Sequence, residues 1–192
     1  MRADAQRNYE HLLDIGRVVV AEQGAEASLR DVARRAGVGL GTLYRHFPSR
    51  EALLEALLRE SFEKLAAQAA ELEAASAPAD ALLVWLRDFV LFSSTYRGVT
   101  EMMMAAIENT ESALHASCVR LRGAGSQLLT RAQAAGAARP DMDGTDLFAL
   151  VTALAWLGDQ PSSATRAGHL FDIIASAILI NPASGDSLSE SA

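Results

Sequence analysis

A single cysteine, Cys118, stands in the whole chain, so an internal disulfide and a zinc site built on paired thiolates are both excluded. Runs of Val, Ile and Thr are scarce, and no segment reads as a credible strand. No stretch reaches the roughly 18 to 20 uninterrupted apolar residues needed to span a bilayer. The opening MRADAQRNYEHLLD is charged and lacks the apolar block of a signal peptide. There is no internal repeat. The motifs GxSxG and HExxH are missing, as is any glycine-rich phosphate loop, and His11, His46, His115 and His169 are scattered without metal-ligand spacing. These absences argue against catalysis, a cofactor or a metal, and lead us to expect a cytoplasmic protein with no membrane contact.

What is present favours helices. Half of the 192 residues are hydrophobic, ample for a packed core, and alanine, leucine, arginine and glutamate dominate. The length suits one compact unit, or a small module fused to a larger one. The net charge of −7 is unevenly spread. Residues 1–60 carry nine arginines and nine acids, so the whole excess of acid lies beyond them. Between Ser28 and Arg50 there are five arginines (Arg30, Arg34, Arg35, Arg45, Arg50) against Asp31 alone. A short cationic segment in an acidic chain is the pattern of a localised phosphate-binding face.

The 3–4 spacing of apolar residues predicts about nine helices. The first covers about 4–23, with Leu12, Ile15, Gly16, Val19 and Val20 on one face and Gly24 as its stop. Ser28 then caps a short helix, with Asp31 placed for a capping box. Gly37-Val38-Gly39 makes a turn, and a third helix over about 40–47 turns Leu43 and Phe47 inward. Pro48 ends it, and Ser49 caps a long fourth helix that reaches about Ala75. A fifth opens at Pro78, and a sixth holds Met102, Met103, Met104 and Ile107. A seventh covers about 112–135, GAARPDMDG (136–144) is a loop, and two more cover about 145–157 and 162–180.

Residues 28–47, SLRDVARRAGVGLGTLYRHF, thus form helix, turn, helix. Small Ala33 lets the pair approach closely, and such a pair places its second helix in a DNA major groove. Leu40, Gly41 and Thr42 would face the base edges. Tyr44, His46 and Arg50 are spaced to reach phosphates, although Tyr44 also suits packing beneath its helix and His46 a polar cap. Arg45 is open between base edge, phosphate and solvent, and Arg34 and Arg35 read as solvated charges. Arg30, at the start of the second helix, is the best candidate for bidentate reading of guanine.

The stretch Asn8–Leu58, above all AGVGLGTLYRHFPSREALL, resembles the DNA-binding domain of the TetR/AcrR family of bacterial transcription regulators. RAQAAGAARPD is similar, less specifically, to one subgroup of the family's ligand domains. The resemblance implies an all-α protein with an N-terminal three-helix head (residues 1–50), a larger ligand-binding and dimerisation domain (51–180) and a disordered tail (181–192). It also implies that Ser28, Arg30, Thr42, Tyr44, His46 and Arg50 occupy DNA-contacting positions. Gly39-Leu40-Gly41 departs from the family, since many members place Ser, Gln, Arg or Pro in the reading turn. Fewer side-chain hydrogen bonds to bases follow.

In the acidic remainder, Trp85, Phe89, Phe92, Met102–Met104, Ile107, Cys118 and Trp156 either line an apolar cavity or form ordinary core. Glu101, Glu108 and Asp159 would select a cationic ligand or are solvated. No specific ligand contacts are assigned. The last helix carries two apolar stripes, one through Ala167, Leu170, Phe171, Ile174 and Ile178, the other through Ile173, Ala177 and Ile180. A helix apolar on two faces must bury both, so helices 145–157 and 162–180 are expected to pair across a homodimer. The expected function is a repressor released from a palindromic DNA operator by a small apolar effector, through movement of the helix over 50–75. The rival is an architectural DNA binder or adaptor without a ligand.

Overall fold

The computed structural model describes residues 2–95, 110, 114–160 and 162–180. Eight helices form among them: α1 (Arg2–Gln23), α2 (Leu29–Arg35), α3 (Leu40–His46), α4 (Arg50–Ala75), α5 (Pro78–Thr95), α6 (His115–Ala134), α7 (Gly144–Asp159) and α8 (Ala167–Ile178). The expected helix with Met102–Met104 and Ile107, the two glutamates beside it and the tail beyond Ile180 lie outside the described residues. The chain divides into two compact units, Met1–Lys64 with Phe92–Val119, and Leu65–Leu91 with Arg120–Ala192. No helix among the described residues is long and apolar enough to cross a membrane.

The core of the first unit is the apolar stripe read from the sequence. Leu12, Val19 and Val20 of α1 are buried with Leu53, Leu54, Leu57, Leu58 and Phe62 of α4. Gly16 allows α1 and α4 to close up, because a Cβ there would stand 3.0 Å from Leu53 Cδ1. Truncating one of these leucines to alanine removes transfer energy and leaves a hole, about 2–5 kcal/mol in all. At the start of α4, the Ser49 hydroxyl accepts from the Ala52 N–H at 3.2 Å, the expected cap.

In the second unit, Trp85 holds three helices together. Its ring lies against α6 at Gly125, where a Cβ would come within 2.5 Å of the indole. Its Nε1–H donates to the Leu65 carbonyl of α4 at 2.9 Å. Its face meets Phe89 edge-on at 5.5 Å. Phe89, Leu147, Phe148 and Val151 continue this layer, and the crevice left among them is about 180 Å³ and too narrow for a water molecule. Ordinary core is therefore the reading that fits Trp85 and Phe89 here. Trp156 departs from the expected cavity altogether, since it is 51% exposed on the outer side of α7.

The loop over 136–144 has more structure than its composition suggested. Gly136, at φ +68°, ends α6 in a Schellman motif, with Ala137 N–H donating to Ala132 O and Gly136 N–H to Gln133 O. Asp143 then caps α7, accepting from the N–H groups of Thr145 (2.7 Å) and Asp146 (3.0 Å). Asp146 returns the bond by accepting from Asp143 N–H at 3.1 Å, a complete capping box. The donated N–H of Asp146, then that of Thr145, hold the Asp143 carboxyl below its ordinary range. The last helix is shorter than expected. A 3₁₀ turn (Ala164–Arg166) precedes it, and Leu179 is extended because it pairs with Ala138 in an isolated antiparallel bridge.

Candidate nucleic-acid interface

The turn between α2 and α3 follows from backbone conformation. Gly37 has φ +68°, a region costly for side-chain-bearing residues. It closes a second Schellman motif: Val38 N–H donates to Ala33 O at 3.0 Å and Gly37 N–H to Arg34 O at 3.2 Å. Val32, Ala33, Leu43 and Phe47 are buried beneath the pair. From α1, His11 Nε2–H donates to the Ala36 carbonyl at 3.2 Å, pinning the turn to the first helix.

The start of α2 differs from the expected capping box. Ser28 Oγ does accept from Asp31 N–H at 3.4 Å, but Ser28 N–H donates to Gln23 Oε1 at 3.0 Å instead of to Asp31. Asp31 is occupied elsewhere, by Arg34, by Arg35 Nε at 3.0 Å and by Gln23 Nε2 at 3.0 Å. Those bonds, the one from Arg34 foremost, hold its carboxyl below the usual range. Arg35 also meets Glu22 at 2.7 Å, so Arg34 and Arg35 are ion-paired on the surface where the sequence suggested solvated charges.

The outward face of α3 is open. Gly39 is its N-cap, and a Cβ at Gly39 or Gly41 would have nothing within 4 Å. Neither glycine has a positive φ, so the fold itself does not require glycine at either position. Leu40 and Thr42 are half-buried beside the exposed Gly41. Tyr44 is 47% exposed, so it is not packed beneath its helix. Arg45 is exposed on α3 and Arg30 on α2, and among the described residues neither has a carboxylate partner. His46 is half-buried, its ring 6.0 Å from that of Tyr9 and 6.4 Å from that of Phe47. Arg50, at the start of α4, is paired with Glu26 and stands 3.6 Å from Glu51.

Ser28, Arg30, Gly41, Tyr44 and Arg45 are thus exposed on one helix pair and its approach, with Leu40, Thr42, His46 and Arg50 partly covered. Gln23, His11 and Glu26 also shape the surface and were not singled out in the sequence. Their signal is weak, because each acts on a residue 5 to 25 positions away.

Residues 12–57 match the profile of bacterial regulatory proteins of the tetR family, and residues 77–178 that of the C-terminal domain of SbtR-like transcriptional regulators. The chain belongs to the TetR family. Its likeness to the TetR transcriptional regulator SCO0520 of Streptomyces coelicolor is 33% identity, over 89% of this chain and 98% of that one, with a TM-score of 0.68. A TetR regulatory protein from Mycobacterium vanbaalenii is 28% identical over 93% of this chain and 99% of its own, with a TM-score of 0.62. The repressor KstR of Mycolicibacterium smegmatis is 41% identical over 68 residues, 34% of this chain and only 33% of that relative. This TetR-family chain is a DNA-binding transcriptional regulator rather than an enzyme.

Proposed function

We propose that this regulator is a homodimeric repressor that occupies a palindromic operator and leaves it when a small apolar effector binds. In this reading residues 1–50 form the DNA-binding head, residues 51–180 bind the effector and dimerise, and residues 181–192 form a tail, all in the cytoplasm. One observation carries the DNA-reading role: the outward side of α3 is bare backbone at Gly41, with Arg45 exposed on the same helix and Arg30 on α2, neither with a carboxylate partner among the described residues. Arg30 would read guanine, Leu40–Thr42 would meet base edges, and Ser28, Tyr44, His46 and Arg50 would hold phosphates. Arg45 would reach a phosphate or a base edge.

Dimerisation is supported by what α7 and α8 turn outward. Trp156 of α7, Ile173 of α8 and Ile180 just beyond α8 are each about half exposed, and the second stripe read from the sequence is the one left uncovered. A two-fold dimer through these helices would present two heads about one helical turn of DNA apart, or a multiple of it. Selection of bound duplexes from random DNA tests the reading. Palindromic sites should emerge, with affinity falling by about a thousandfold between 50 and 200 mM salt. No preference for any duplex over heparin would overturn it.

The tight packing around Trp85 and Phe89, which leaves no room for a water molecule there, favours a second reading, DNA binding or an adaptor role without a ligand. A thermal-shift series with lipophilic compounds separates the two. Stabilisation by a compound that also releases DNA supports the repressor, whereas a flat series supports the ligand-free protein.

A further inference from the structure

Arg50 is the phosphate-facing residue whose charge is already spoken for in the free protein, and its two carboxylate neighbours are not equivalent. Glu51 belongs to the first turn of α4, where a bond to its own backbone, then one to Ser49, holds its carboxylate below the ordinary range. Glu26 comes from the 3₁₀ turn before α2, its side chain is 81% exposed, and Arg50 is the partner it meets. It lies only two residues from Ser28, so a phosphate held by Ser28 and Arg50 would arrive beside an uncompensated carboxylate. An acid there opposes DNA unless it serves the cation.

We propose that Glu26 is a built-in counter-anion for Arg50: it holds the guanidinium in the free protein and yields it to a DNA phosphate, so that Glu26 sets how tightly the head binds duplex. The proposal rests on Arg50 being a phosphate contact. Exchange of one anion for another keeps the cation from binding indiscriminately, at the expense of affinity. The competing geometry, in which Glu26 merely pre-positions Arg50 for DNA, makes the opposite prediction, since removing it would then weaken binding.

The test uses the full chain and a fluorescent duplex of about 30 base pairs, three helical turns, recovered by selection against the wild type. Affinities are compared at about 150 mM salt for Glu26→Gln, Glu22→Gln, Arg50→Ala and the Glu26→Gln/Arg50→Ala double variant. Glu26→Gln should tighten binding roughly two- to fivefold per head, the worth of one exposed ion pair. Glu22→Gln, which removes the same charge from a partner of Arg35, should gain less. In the Arg50→Ala background the gain from Glu26→Gln should vanish. Unchanged or weaker binding by Glu26→Gln, or a gain that survives the loss of Arg50, overturns the exchange. If Arg50→Ala binds as tightly as the wild type, the phosphate role of Arg50 fails and the exchange with it. A wild type that selects no duplex instead defeats the DNA-reading assignment itself.

Discussion

Between Ser28 and Arg50 the exposed groups include arginines, hydroxyls and bare glycine backbone, whereas on α7 and α8 an apolar row, Ala149, Ala153, Trp156, Ile173 and Ala177, is exposed beside the polar Asp172 and Ser176. The first surface keeps water well and gains little by being covered, unless the covering partner brings negative charge. The second loses about 25 cal/mol for every Å² of apolar area left in water, so any apolar partner relieves it. The first surface would be covered by an anion, the second by apolar groups. Even the acids differ in use. Asp31, Glu22 and Glu26 pair with arginines near the head, while Asp143 and Asp146 form the capping box that begins α7.

The contrast is broken most severely by a charge on the apolar face. Ile173→Asp should shift the chain to a monomer in sedimentation and reduce operator affinity by roughly a hundredfold, because the two heads no longer bind as a linked pair. Persistence of a dimer would remove α8 from the interface. Next in size are Arg30 and Arg45, which have no carboxylate partner among the described residues. Arg30→Ala and Arg45→Ala should each weaken operator binding by about tenfold, and if Arg45 holds a phosphate its removal should also lower the salt slope by about one per head. Arg34→Ala, whose cation is already held by Asp31, should change little.

Two glycines sharpen the comparison further. Gly37→Ala should cost about 1–2 kcal/mol in a melting experiment, since its φ of +68° disfavours any side chain. Gly41→Ala should leave stability unchanged or raise it by up to about 1 kcal/mol, for it is helical and open, yet it should weaken DNA binding. Equal losses of stability at both positions would show that the bare backbone at Gly41 serves the fold instead. The smallest effect concerns the helix start under the apolar face. Asp143→Ala should lower the melting temperature by a few degrees at neutral pH. The folded Asp143 carboxyl sits below its ordinary range, so its contribution is present above the unfolded value and is lost as pH falls through the folded one. The gap between variant and wild type should therefore close on acidification below about pH 4.

Most helices were legible because burial imposes a period on the sequence. Leu12, Val19 and Val20 recur at helical spacing and are all buried, as are Leu54, Leu57, Leu58, Phe62 and Leu65. Both stripes of α8 were readable for the same reason, the inner one covered and the outer one not. Local chemistry also announced itself at Ser49 and Gly37, where the side chain or its absence acts within a few residues. The box at Asp143 and Asp146 has the same short range but is masked by the Gly-, Pro- and Asp-rich loop that contains its first residue.

By itself the sequence determined the helical class, the glycine turn between α2 and α3, and the cationic stretch from Ser28 to Arg50, since periodicity, φ freedom and charge are properties of neighbours along the chain. Tertiary structure alone decided which arginines stay open. Arg35 is claimed by Glu22 and Arg50 by Glu26, across 13 and 24 positions, while Arg30 and Arg45 stay exposed with no carboxylate partner among the described residues. It also turned Trp156 outward and Trp85 inward, and it unwound Leu179 to meet Ala138. Ion pairs, close packing and bridges depend on distances in space, which no spacing in the sequence encodes.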